Sequence, residues 1–339
     1  MRESVLNLVV AIGLPLFILA ATVLGAPFAV TLATKVAILA LAGVGLNIAL
    51  GLGGMVSLGH AAFFGLGGYA MGILASHAQA FVPLMDWPFL VEGTKSMPMI
   101  WLVALVVSGL AALAIGALSL RTSGVYFIMV TLAFGQMFYF FTISWPAYGG
   151  EDGLPIYLRN AFPGMNTLVP WQFAMLALAV LFAGLWIAAR ITHSPFGLAL
   201  TAARQAPARV EAVGLDPTRV RLIAFVISGA ITGLAGALFA DLNRFVSPAM
   251  FSWQTSGEIM VIVILGGVGR LFGPVVGAIL FVTLEHWLGG VWDYWLMILG
   301  FALLAVVLSG QGGLVGLSVR ARDWRAQARR RRRRAVAHG

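Results

Sequence analysis

Of the 339 residues, 60% are hydrophobic and only 10% charged, whereas soluble domains carry about 25% charged residues, so this chain cannot clothe a water-facing surface and reads as a polytopic membrane protein. It has no Cys, which excludes disulfides and thiolate metal sites, and its five His and twelve acids fall in no metal-ligand motif such as H-E-x-x-H. The formal charge of +9 rests on nine Arg between Arg320 and Arg334, a run suited to the anionic cytoplasmic leaflet of a lipid bilayer rather than to nucleic acid.

A helix that crosses the hydrocarbon needs about 20 mostly apolar residues. In chain order the candidates are 5–24, 28–50, 57–77, 98–118, 124–145, 169–189, 221–242, 256–269, 272–288 and 291–309. The expected fold is all-α, a polytopic transmembrane helical bundle of about ten segments in one domain over 1–318. A basic cytoplasmic tail over 319–339 follows. The first segment has one preceding Arg and no clear small-residue cleavage site, so it reads as a retained span. Segments 256–269 and 272–288 are short and joined by Gly269-Arg270-Leu271-Phe272-Gly273-Pro274. They allow a second reading, eight spans plus a re-entrant pair. With the N-terminus inside and all ten segments crossing, 17 of the 21 Lys and Arg fall on the cytoplasmic side. Both termini are then cytoplasmic.

Two outer connections are long, 78–97 and 146–168, and the second holds the turn-rich Gly149-Gly150-Glu151-Asp152-Gly153. Eight glycines crowd 51–72: Gly51, Gly53, Gly54, Gly59, Gly65, Gly67, Gly68 and Gly72. They allow close helix packing or a discontinuous helix along a path, and both readings stay open. Asn47, Ser57, His60, Gln136 and Glu258 are polar at membrane depth, where such groups face the bundle interior or water. They are the candidate path residues. Asn47 and Gln136 could equally cross-link helices, and His60 could cap or pack. Glu258, expected in the first turn of its span, could serve the helix N-terminus. Glu285 reads as interfacial.

The loop 194–220 is polar and basic. Gly197 to Val213 reads as a short amphipathic helix interrupted at Pro207, which can open a second piece. Gly214 suits a left-handed cap, and Asp216-Pro217 an N-cap and first helical position of the next span. Arg204, Arg209 and Glu211 are expected to face the cytoplasm. No G-x-x-x-x-G-K-[ST] motif occurs, so nucleotide-driven work would have to come from another subunit.

Several blocks, in order, resemble the branched-chain amino-acid class of ABC-transporter permease, M-type, over roughly 43–310. They are Gly54-Met55-Val56-Ser57-Leu58-Gly59-His60, Leu120-Arg121-Thr122-Ser123-Gly124-Val125-Tyr126-Phe127, Ser194-Pro195-Phe196-Gly197, Ala224-Phe225-Val226-Ile227-Ser228-Gly229, and Gly266-Gly267-Val268-Gly269 with Gly273-Pro274. The resemblance implies a transport subunit of the bacterial inner membrane that is not itself an enzyme. It implies a second related permease, two ATP-binding subunits that use ATP and Mg, and a periplasmic substrate-binding protein as partners. It implies no cofactor in this chain. It makes Gly197, Arg204, Arg209, Glu211, Ala212 and Gly214 part of an ATPase coupling loop, and Gly149, Gly150, Asp152 and Gly153 part of an outer loop. Three positions depart from the family pattern: Leu198 stands where Arg is usual, Gln205-Ala206-Pro207 where acids are common, and Asp152 where Asn is frequent. The same machinery importing urea, short amides or aromatic acids is the nearest alternative. An ion-coupled secondary transporter would need mid-membrane carboxylates, and an intramembrane enzyme a paired-acid or Ser-His site.

Overall fold

Each apolar segment of the sequence forms a helix in the computed structural model, which describes residues 2–83, 92–290 and 295–308. The basic tail, much of the 78–97 connection and the start of the last segment lie outside the described residues. The helices are α1 (Arg2–Val23), α2 (Pro27–Asn47), α3 (His60–Ala80), α4 (Met97–Ser119), α5 (Val125–Ile143), α6 (Pro170–Thr192), α7 (Pro195–Gln205), α8 (Pro207–Ala212), α9 (Pro217–Asn243), α10 (Trp253–Gly266), α11 (Gly273–Gly289) and α12 (Trp295–Leu308). Two-residue strands, β1 (Leu154–Pro155) and β2 (Phe245–Val246), pair antiparallel. Among the described residues, six helices are long and apolar enough to cross a membrane: α2 with its extension to Leu52, α3, α4, α5, α6 and α9. The chain is a multi-pass helical membrane protein.

Proline starts many of these helices, where its missing N–H costs nothing. Pro27, Pro170, Pro195, Pro207 and Pro217 all stand at a helix start. The Ser194 side chain caps α7 by accepting from the Gly197 N–H, and Asp216 caps α9 by accepting from Thr218 and Arg219. Gly214, with φ +86°, turns the chain between α8 and α9.

At the centre, α9 packs against α2, α3 and α4. No hydrophobic drive separates helix from lipid, so close approach must supply the dispersion energy. Gly229, Gly233 and Gly236 form a smooth strip on α9. A Cβ on Gly233 or Gly236 would run into α3 or the Ser108 side chain, and one on Gly229 would press on Ala112 and Phe63. The outward faces of α4 and α5 carry Leu110, Tyr126, Met129 and Phe140, all exposed and apolar.

Two crossings are discontinuous. After α2 and a π-helical turn over Ile48–Leu52, residues 53–59 run without helix until α3 begins at His60. The α3 start lies inside the bundle: the Phe63 carbonyl accepts from Ser108 Oγ, in the middle of α4, at 3.2 Å. The second break precedes α10. From the outer strand pair the chain descends along α3, with Val246 beside Gly72, Met250 beside Gly68 and Phe251 beside Gly65. The Ser256 Oγ then accepts from the Ala61 N–H at 2.8 Å. At about 1.5 Å per residue the 14 residues of α10 reach only ~21 Å, short of the ~30 Å core. Residues 245–252, made of β2 and a single 3-10 turn over Pro248–Phe251, precede it along α3, and α11 returns antiparallel along α2. Residues 245–289 thus form a hairpin whose first leg is only partly α-helical.

Candidate functional site

The breaks gather polar groups that are far apart in sequence. Asn47 closes α2 by a double bond to the α10–α11 turn: its Oδ1 accepts from the Gly269 N–H at 2.8 Å and its Nδ2 donates to the Arg270 carbonyl at 2.9 Å. Ser57 is fully buried within the unwound segment, where its Oγ accepts from the Gly59 N–H. Irregular backbone at this depth is tolerated only where protein or a wet cavity satisfies it. Gly59 lies so close to Thr131 of α5 that any side chain there would collide with it.

His60 is fully buried at the first position of α3. Its Nε2 lies 2.8 Å from Ser228 Oγ, and that hydroxyl donates to the Gly45 carbonyl at 2.6 Å. With the hydroxyl proton committed to Gly45, His60 must donate through Nε2. The imidazole also stands edge-on to the Phe63 and Phe225 rings, at 5.4 and 5.6 Å. One side chain thereby joins α3 to α9 and, through Ser228, to α2. Gln136 is half-buried on α5 beside Gly135, which faces Leu58 and Gly59. Glu258 sits in the second turn of α10, not the first as expected, because that helix starts at Trp253. It is exposed, within Coulombic reach of an ion pair between Lys35 and Glu285 at 2.7 Å. Ser57 and His60 therefore lie at the break, Asn47 at the end of α2 that leads into it, and Gln136 one position from the Gly135 that faces it, whereas Glu258 joins a charged group on α2, α10 and α11. Glu285, expected at the interface, is that group's ion-pair partner for Lys35.

The basic loop folds into the helix pair α7–α8. Gly197, Leu200 and Ala203 bury one face of α7, and Val210 does so for α8. Gly197 leaves no room for a side chain beside the Ile191 carbonyl. Arg209, Glu211, Ala212 and Gly214 are exposed. Arg204 is exposed as well, yet its Nη1 turns back and donates to the Gly51 carbonyl at 2.6 Å. Arg221 at the base of α9 donates to the Ala203 carbonyl, also at 2.6 Å. Between these arginines, residues 53–56 and the α4–α5 turn lies a cavity of about 400 Å³.

The outer loop is a scaffold of left-handed glycines. Gly149, Gly150 and Gly153 have φ of +87°, +49° and +82°, a region costly for other residues. Gly153 lies against the Val246 carbonyl, which brings β1 to β2, while Asp152 remains exposed. Beyond it, Arg159 donates to the carbonyls of Thr167 at 2.9 Å, Leu242 at 3.2 Å and Asp241 at 3.3 Å. Its guanidinium also lies over the Phe173 ring at 4.4 Å. Burial lowers its pKa, Asp241 opposing that shift and Arg244 adding to it. Asn160 donates its backbone N–H and its Nδ2 to Asp241 Oδ1. Sequence reasoning singled out none of Arg159, Arg221, Ser228 or Ser256 as site residues. Their partners are not local, and the one available signal was the place of Ser228 within the recognised block 224–229. Among the described residues no group of three His, Asp or Glu could hold a metal ion.

Residues 28–308 match the family model described as the permease component of the branched-chain amino acid transport system. The high-affinity branched-chain amino acid transport system permease protein LivM of Salmonella typhimurium is 28% identical over 313 residues, which is 85% of this chain and 70% of that protein. LivM of Escherichia coli is also 28% identical, over 317 residues, with the same coverage of both chains. The autoinducer 2 import system permease protein LsrC of Klebsiella pneumoniae is 31% identical over 141 residues, 38% of this chain and 39% of its own length. No solved structure matches the chain. Because the family match over 28–308 takes in α2 to α12, both breaks and the α7–α8 elbow, the chain belongs to the branched-chain amino acid transport permeases, and within them to the LivM type.

Proposed function

We propose that this chain is the membrane-spanning permease subunit of an ATP-driven importer that carries branched-chain amino acids across a bacterial inner membrane. The observation that carries this reading is the similarity to LivM proteins over 85% of the chain. A second related permease would complete the passage. Two ATP-binding subunits, using ATP and Mg, would dock on α7–α8 through Arg209, Glu211, Ala212 and the Gly214 turn. A periplasmic binding protein would meet the outer loop near Asp152. Both termini are then cytoplasmic.

The chain contributes shape and movement, with hydrolysis elsewhere. Nucleotide can shift the bundle between outward and inward access only by binding one state better than the other. The breaks at 53–59 and 245–252 are the parts best suited to change, since fewer helical hydrogen bonds hold them. Ser57, His60, Asn47, Gln136 and Glu258 are the proposed path groups. A zwitterion needs donors for its carboxylate and acceptors for its ammonium, and few charges are offered here. Passage is accordingly weak and transient, and selectivity lies mainly with the binding protein. The likeness to LsrC favours a second reading in which the cargo differs and the machinery is the same.

Vesicles reconstituted with both permeases, the ATPases and the binding protein are expected to accumulate leucine only with hydrolysable ATP, and to continue after a protonophore is added. Uptake by this chain alone, or uptake abolished by the protonophore, would overturn the reading. Leucine failing to bind the cognate binding protein while another small solute binds would leave the machinery and change the cargo.

A further inference from the structure

A helix ends with carbonyls that lack N–H partners, and each needs another donor. At the end of α2 the carbonyls of Ile48, Ala49 and Leu50 accept from Gly53, Met55 and Gly54. The next one, on Gly51, has its donor from outside: Arg204 Nη1 at 2.6 Å, from a residue 153 positions later. A cation at a helix C-terminus also complements the helix dipole. The bond thus links the cytoplasmic elbow directly to the first turn of the break.

Three further features make this link a handle and not an incidental contact. Gly54 has φ +67°, and a Cβ there would lie 2.8 Å from Arg204 Cγ, so the break is shaped around the arginine stem. On its other flank Gly51 lies so near the Gly269 backbone that a side chain there would collide with it, and Asn47 bonds that same turn. Any pull on Gly51 therefore reaches the α10–α11 hairpin as well as residues 53–59. Finally, the cavity of about 400 Å³ beside Met55 and Val56 leaves room for the segment to shift. Arg221 holds the last turn of α7 to the base of α9, so the turn that carries Arg204 is fastened to a crossing helix as well as to the break.

We propose that Arg204 is the positioning residue that carries displacement of the α7–α8 elbow to the break at 51–59, so that the inner end of the passage opens and closes with the elbow. The proposal rests on the importer reading above. The chain has no Cys, so Val56→Cys, in the cavity wall, gives a single reporter in this subunit. In the full complex, its labelling by a membrane-impermeant thiol reagent is compared without nucleotide and with ATP plus vanadate. With Arg204 intact the two rates are expected to differ by about fivefold or more, the scale of an ordinary coupling between sites. Arg204→Ala is expected to erase that difference and to lower leucine uptake per ATP hydrolysed while hydrolysis continues. Arg204→Lys, which keeps a donor on a flexible stem, should restore part of both. An Arg204→Ala complex that keeps the labelling difference and full coupled uptake would overturn the proposal. If that variant does not assemble, Gly54→Ala, whose methyl displaces the arginine stem, must give the same loss, and an unchanged difference there is equally fatal. ATP-independent uptake with Arg204 intact would instead remove the importer reading itself.

Discussion

Gly214 shows how much a single backbone angle carries. Its φ is +86° and a Cβ there would meet nothing within 4 Å, so the cost of substitution is conformational and not steric. A left-handed residue costs most side chains about 1–2 kcal/mol, Asn less because its side chain can bond locally. Gly214→Val is expected to shift the end of α8, lowering uptake per ATP hydrolysed while the complex still assembles. Gly214→Asn should stay near wild type in the same assay. The turn was legible in the sequence, as were Pro207 and the Asp216-Pro217 start, because each depends on neighbours within a few positions. The destination of Arg204 was not. Gly51 lies 153 residues away, and nothing local to an amphipathic loop helix shows that the tip of an exposed arginine will reach a carbonyl at the α2 terminus. His60 and Ser228, 168 apart, met for the same reason out of view.

At the scale of elements, the α3–α9 contact depends on the absence of side chains. Gly233 faces Ser108 and the Phe63 carbonyl, and Gly236 faces the Phe64 backbone. Gly233→Leu is expected to force these helices apart and to abolish a monodisperse detergent-solubilised complex, read by size-exclusion chromatography. Gly109→Ala supplies the contrast: its Cβ would meet Ala230 at 3.8 Å and Val226 at 4.0 Å, ordinary packing distances. That change also removes a mid-helix glycine, so the melting point should hold or rise, by the equivalent of up to about 1 kcal/mol. The apolar stretches marked the helices to within a few residues, since length and hydropathy are local properties. The first break was in part legible: 51–56 fell between two expected spans and its glycines allowed a discontinuous helix, although 57–77 read as one span and α3 begins only at His60. The descent through Pro248 to Ser252 escaped notice because a single 3-10 turn, Pro248–Phe251, is too short to leave a hydropathy mark of its own.

For the whole molecule, the proposed orientation follows from where Lys and Arg lie, and a cysteine-free background makes it easy to check. Asp152→Cys should react with an impermeant thiol reagent in intact spheroplasts, whereas Glu211→Cys should react only after the membrane is opened. The reverse pattern would invert the assignment of the elbow to the cytoplasm. The two ends of the bundle are also fastened differently. On the outer side Arg159 grips three carbonyls, Asn160 holds Asp241, and a short ladder ties 154–155 to 245–246. On the inner side the unwound stretch is held to the elbow through the Arg204–Gly51 bond. On the proposed importer reading, a push on the elbow would meet the better-fastened end of the bundle opposite it, so the helices are expected to pivot about that end, with the widest swing at the rim nearest the ATP-binding subunits.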